Sequence, residues 1–87
     1  MTLVPTDPKL EQARHDALVA LGHRVRELRL ARSMTQQQLA DVTGLHRVSV
    51  NKLEHGLLDV GVSNVSALAA ALRVDANELF PKPPTSS

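Results

Sequence analysis

Cysteine, tryptophan and tyrosine are absent from this 87-residue sequence, and Phe80 is its only aromatic residue. The lack of cysteine excludes a disulfide framework and a cysteine-ligated zinc site. The near absence of aromatic rings argues against a pocket for a flat cofactor and against a platform for stacking unpaired bases. We therefore expect no cofactor, and a core of Leu, Val and Ala, which favours packed helices over a sheet.

Long apolar runs are absent as well. No stretch of the sequence reaches the roughly 18 apolar residues that suggest a membrane-spanning helix. Residues 1–5 are too few and too uncharged to make a signal peptide. The length suits one small domain, which we expect to be cytoplasmic and to have no membrane partner.

The net charge of +1 conceals an uneven distribution of charged residues. Residues 23–55 include six basic and three acidic residues, whereas the rest of the chain has a net charge of −2. This pattern favours a polyanion bound at one face. No metal site is expected, because no two histidines have the i,i+4 spacing of a helical site. No serine has a plausible catalytic base and acid in order, so no enzyme is expected.

The first predicted helix begins with Asp7 as N-cap and Pro8 at the first helical position. Apolar residues then recur at helical spacing as far as about Arg32. Gly22 interrupts this pattern, so the segment is either one long helix with a weak point or two helices that meet there. Residues 1–6 and the proline-rich residues 81–87 are expected to be flexible tails.

Three further helical segments and one short one follow. Thr35 and Gln38 form a capping box for a second helix, which ends at Gly44. A third helix ends at residues 55–56, so residues 35–55 form a helix-turn-helix. Ser63 is expected to cap a fourth helix. Asp75 is expected to cap a short fifth helix whose core contacts are Leu79 and Phe80.

Residues 22–80 resemble the lambda-repressor-like family of Cro, phage repressors and xenobiotic-response-element regulators. The matching text is Gly22-His-Arg-Val-Arg-Glu-Leu-Arg29, Thr35-Gln36-x-x-Leu39-Ala40-x-x-x-Gly44, Ser49-Val50-x-x-Leu53-Glu54-x-Gly56, Leu68-Ala-x-Ala-Leu72-x-Val74 and Asn77-Glu-Leu79-Phe80. The resemblance implies an all-α, five-helix DNA-binding domain, here preceded by an N-terminal helical extension at residues 7–21. That extension either folds back on its own domain or meets a partner subunit.

The resemblance also implies the residues that meet double-stranded DNA. Arg47, Val48 and Lys52 occupy the positions that face base edges. Arginine or lysine there can read guanine, and a valine suits a thymine methyl group. His46 lies near the DNA backbone, Gln36 in the first turn of helix 2 suits a phosphate, and Asn51 suits a phosphate or an adenine edge.

In this family an arginine of helix 1 pairs with a glutamate at the end of helix 3, which implies a structural pair of Arg29 and Glu54. The sequence departs from the family at two places. Ser33 stands where a glycine usually precedes helix 2. Residues 57–60, Leu-Leu-Asp-Val, replace the basic residues that often follow helix 3 and suit a protein contact instead.

These observations favour a homodimeric transcriptional regulator, such as a repressor that controls its own promoter, acting on a near-palindromic operator. Within this class, a phage or plasmid regulator and a restriction-modification controller both fit the sequence. An antitoxin that binds a toxin and an interaction module of the same fold are the alternatives. No second domain is evident for a small-molecule effector.

Overall fold

The computed structural model describes residues 7–80, so the tails expected at residues 1–6 and 81–87 lie outside the described residues. Residues 7–80 form four α-helices and no strand. The helices are Pro8–Ala31 (α1), Gln36–Thr43 (α2), Arg47–Glu54 (α3) and Gly61–Leu72 (α4), and a 3₁₀ helix follows at Ala76–Leu79. The predicted all-α fold is confirmed, with the fifth helix reduced to a single 3₁₀ turn.

The first helix is continuous and contains Gly22 without a break. The Asp7 carboxylate accepts a hydrogen bond from the Lys9 N–H at 2.9 Å, and Pro8 occupies the first turn, as predicted. Gly22 is buried where α1 crosses the end of α3. A Cβ atom there would overlap the carbonyl oxygen of Leu53 and lie 2.8 Å from that of Glu54. Gly22 therefore serves close helix packing and does not divide α1.

The start and end of α2 follow the predicted capping pattern. The Thr35 hydroxyl accepts from the Gln38 backbone N–H at 3.0 Å, and the Gln38 side-chain oxygen Oε1 accepts from the Thr35 backbone N–H at 2.8 Å. Gly44 ends the helix with φ of 78°, a left-handed conformation that glycine adopts without a Cβ clash. These two local signals fix the length of α2.

The predicted start of the fourth helix is wrong, because α4 begins at Gly61 and not after Ser63. The Asp59 carboxylate accepts the Gly61 N–H at 3.4 Å. The Asn64 side chain donates to the Val60 carbonyl oxygen at 2.8 Å. These two contacts support the earlier start, and Ser63 lies exposed within the helix.

The 3₁₀ helix closes the domain through one apolar side chain. Glu78 accepts the Asp75 N–H at 2.8 Å, and Leu79 is completely buried. Phe80 is 45% exposed, so its assignment as a core contact is wrong. The backbone becomes extended at Phe80, and a single short turn places only Leu79 in the core. The Arg24 Nε atom donates to the Glu78 carbonyl oxygen at 3.0 Å and joins this turn to α1.

The core lies between the C-terminal half of α1, the three other α-helices and the 3₁₀ helix. Burial of one of its larger side chains contributes about 1.5–3 kcal/mol. As predicted, the core consists of Leu, Val and Ala: Leu21, Val25, Leu28, Leu39, Ala40, Val50, Leu53, Leu68, Ala69, Leu72 and Leu79.

The N-terminal half of α1 lies largely outside this core. Leu10 is 67% exposed, and Ala13 and Ala17 are also exposed. An exposed ion pair of 3.3 Å joins Arg14 to Asp59, a type of contact that contributes at most about 1 kcal/mol. Of the apolar residues at helical spacing in this part of α1, Leu21 thus packs on its own domain, while Leu10, Ala13 and Ala17 face solvent. No helix within residues 7–80 is long and apolar enough to cross a membrane.

Candidate nucleic-acid interface

The third helix separates its residues into a buried and an exposed face. Val50, Leu53 and Glu54 are buried against the domain. Glu54 is the only acidic residue of α3, so the exposed face has no carboxylate. That face brings together five of the six residues for which the sequence predicted DNA contacts: His46, Arg47, Val48, Asn51 and Lys52.

The start of α3 is open to solvent. His46 occupies the N-cap position, but its side chain caps no backbone N–H group. The first N–H groups of a helix have no partner within the helix, so they are available to an acceptor outside it. Val48 is 58% exposed in the same turn. The first turn of α3 therefore offers hydrogen-bond donors and one apolar side chain together.

A buried ion pair fixes α3 to α1. The Arg29 Nε atom donates to Glu54 Oε2 at 2.7 Å, and Arg29 Nη2 donates to Glu54 Oε1 at 3.0 Å. A third bond runs from Arg29 Nη1 to the Met34 carbonyl oxygen at 2.8 Å. Hydrogen bonding to Glu54 raises the pKa of Arg29, although burial opposes this effect, so the guanidinium remains charged. The bidentate geometry sets the orientation of α3.

Gln36 also contacts this ion pair, which sequence reasoning missed. The half-buried Gln36 side chain donates through Nε2 to Glu54 Oε1 at 3.1 Å. Its Oε1 atom accepts a bond from Asn51 Nδ2 at 3.4 Å. Gln36 therefore lies between the buried pair and the exposed face of α3, and its amide is engaged within the protein. The sequence indicated Gln36 and Glu54 separately, but it did not indicate the contact between them.

The turn before α2 contains a residue in a left-handed conformation. Ser33 has φ of 55°, at the position where the family resemblance suggested a glycine. A non-glycine residue in this region has a conformational cost of roughly 1–2 kcal/mol. The neighbouring Met34 carbonyl oxygen accepts from Arg29, which holds the turn in place.

The segment after α3 leaves apolar surface exposed. Leu57 is 71% exposed. Leu57, Leu18 and Arg14 contribute to the lining of a groove of about 320 Å³ between this segment and the N-terminal half of α1. Within residues 7–80, no three His, Cys, Asp or Glu side chains are grouped as metal ligands would be.

The helix-turn-helix of α2 and α3 and the exposed donors of α3 define a lambda-repressor-like transcription regulator. The chain belongs to the helix-turn-helix family, whose model matches residues 25–79. It is a DNA-binding transcriptional regulator and not an enzyme. The predicted family is thus confirmed.

Several proteins are similar to this chain in sequence or in structure. The control protein C.BamHI of Bacillus amyloliquefaciens is 36% identical over 60 residues, which are 68% of this chain and 74% of that protein. The structure of the restriction-modification controller protein C.AhdI from Aeromonas hydrophila has a TM-score of 0.71 and 43% identity, and the match covers 72% of this chain and 96% of the other. The hypothetical transcription factor NHTF from Neisseria has a TM-score of 0.74 and 30% identity, with 94% and 90% covered.

Proposed function

We propose that this protein is a controller of restriction-modification genes that binds a near-palindromic operator as a homodimer. The observation that carries the proposal is the exposed face of α3, which presents donors and no carboxylate and is fixed by a buried ion pair. Similarity to the control protein C.BamHI and to the controller C.AhdI favours this function over an antitoxin or an interaction module.

His46 and three exposed residues of α3 have separate roles in this proposal. Arg47 and Lys52 donate to guanine O6 and N7 in the major groove, and arginine can do so with two hydrogen bonds. Val48 contacts a thymine methyl group. His46 lies at the helix start, beside N–H groups that can bind a phosphate. The bases are therefore read by side chains, while the helix start fixes the depth of insertion.

The dimer is proposed because one α3 helix reads only a few base pairs. Two copies related by a two-fold axis would insert their α3 helices into successive major grooves, about 34 Å apart. Four exposed apolar side chains are candidates for the contact between subunits. Leu10 of α1 and Leu57 after α3 are 67% and 71% exposed, and Val62 of α4 and Phe80 after the 3₁₀ helix are 84% and 45% exposed.

Charge substitutions distinguish the N-terminal candidates from the C-terminal ones. Leu10→Glu with Leu57→Glu tests the first pair of side chains, and Val62→Glu with Phe80→Glu tests the second pair. Sedimentation equilibrium should show that one double variant is monomeric while the other remains dimeric. A wild-type protein that is monomeric both free and on the operator would contradict the proposed dimer.

The DNA-reading role is tested by selecting duplexes from a randomised pool and then comparing two arginine variants. Arg47→Ala should lose preference at one or two base positions, at a cost of roughly 1–3 kcal/mol on the selected operator. Arg26→Ala removes the same charge from an exposed position of α1 and should keep the wild-type base preferences. An unchanged selected motif in Arg47→Ala would contradict the assignment.

A further inference from the structure

The two oxygens of the Glu54 carboxylate accept three hydrogen bonds. Arg29 supplies two of them, and the Gln36 amide supplies the third at 3.1 Å. The Glu54 side chain is only 1% exposed, so its acceptor capacity is directed to these neighbours rather than to water. The Gln36 side chain is thus hydrogen-bonded to a negative charge whose position is fixed.

This charge determines which way the Gln36 amide points. With the NH₂ group toward Glu54, the amide donates to the carboxylate; a flipped amide would place its carbonyl oxygen against the same negative oxygen. Because a buried unfavourable contact of this kind is costly, only one orientation is stable. The side-chain oxygen Oε1 of Gln36 is therefore directed toward the exposed face of α3, where it accepts from Asn51 Nδ2 at 3.4 Å.

The orientation of the Gln36 amide in turn sets the orientation of the Asn51 amide. One Nδ2–H of the Asn51 amide is directed at Gln36 Oε1. The second Nδ2–H and the side-chain oxygen Oδ1 have no partner among residues 7–80, and the Asn51 side chain is exposed. An asparagine reads adenine with one N–H donated to N7 and its oxygen accepting from N6. The second Nδ2–H and Oδ1 of Asn51 are the two groups that this contact with adenine requires. A phosphate would use only the donor.

We propose that Gln36 is a positioning residue that orients Asn51 to read an adenine, and that it takes this orientation from Glu54. This inference rests on the proposed operator binding. It replaces the direct phosphate contact expected for Gln36 with an indirect role in base specificity. The ion pair that fixes α3 would then also fix the hydrogen-bonding direction of one reading side chain.

The test uses the 87-residue protein and the operator that the wild type selects from the randomised pool. Each operator adenine is replaced in turn by 7-deazaadenine, which lacks the N7 acceptor. Loss of a complete bidentate contact lowers affinity by roughly 5- to 150-fold. Because 7-deazaadenine lacks only the N7 acceptor, wild-type affinity should fall by less than this, at one adenine of each half-site. Asn51→Ala should abolish this sensitivity.

Gln36→Met retains the length of the side chain and removes the amide. It should lose most of the 7-deazaadenine sensitivity at the same position while binding duplexes that lack this adenine as the wild type does. Gln37→Met is the matched control, because Gln37 is exposed in the same turn and donates to Asp41 at 2.8 Å. It should retain the wild-type sensitivity.

A second measurement tests the contact without DNA. In the free protein, the side-chain amide NMR signals of Asn51 should shift in Gln36→Met and remain in place in Gln37→Met. The inference is overturned if Gln36→Met weakens all duplexes equally and keeps the full sensitivity to 7-deazaadenine, since that result indicates a phosphate contact. If the wild-type protein selects no operator, the proposed function itself is overturned. If it selects an operator in which no adenine is sensitive to the 7-deaza replacement, only the inference about Gln36 is overturned.

Discussion

Replacement of Glu54 by glutamine should destabilise the domain by about 3 kcal/mol. The Arg29 and Glu54 side chains are 9% and 1% exposed, and the variant removes the negative charge that is paired with the buried guanidinium. Loss of one partner of such a pair costs about 3–5 kcal/mol, and glutamine falls at the lower end because it keeps one acceptor oxygen. For a domain of this size, the melting temperature should decrease by roughly 12–24 °C.

Urea denaturation and thermal melting measure this loss, and operator affinity is measured below the melting temperature. The double variant Arg29→Met with Glu54→Met supplies the control. Apolar side chains of similar volume often replace a buried ion pair without loss of stability, so most of the stability should return while the orientation of α3 remains less defined. Wild-type stability together with wild-type operator affinity in Glu54→Gln would refute the role given to the pair.

Three further substitutions test individual contacts. Val48→Ser should reduce discrimination between thymine and uracil at one operator position, and operators with single deoxyuridine replacements measure this; if no thymine methyl affects wild-type binding, the contact does not exist. Gly22→Ala should destabilise the domain by about 1–3 kcal/mol in urea, because the added methyl overlaps the backbone of α3; a stabilised variant would show that the helices are not so close. Ser33→Gly should stabilise the domain by up to about 1 kcal/mol, because φ at this position is 55° and glycine adopts this conformation without a Cβ clash. A lower stability of this variant in urea would contradict backbone strain at Ser33.

Much of the fold could be predicted because its signals are local. The capping box of Thr35 and Gln38, the glycine at the end of α2 and the periodic apolar residues each act within a few positions of the chain. The start of α4 could not be predicted in this way. It depends on Asp59 and Asn64, whose hydrogen bonds provide an alternative to capping by Ser63.

Contacts between helices were less accessible from the sequence. Gly22 was recognised as an interruption of the helical pattern, but its function is visible only once the end of α3 is placed against it. The exposed face of α3 followed from the turn and the periodicity. The contacts of Gln36 with Glu54 and Asn51 join residues 18 and 15 positions apart, and no local pattern indicates them.

Methylation interference on the selected operator tests the central claim that α3 reads bases in two successive major grooves. Methylation of guanine N7 blocks the major groove, whereas methylation of adenine N3 blocks the minor groove. We expect interference from guanine N7 in two clusters separated by about one helical turn, and these effects should weaken in Arg47→Ala. Interference confined to adenine N3, or guanine effects unchanged by Arg47→Ala, would contradict the assignment of α3 as the reading helix.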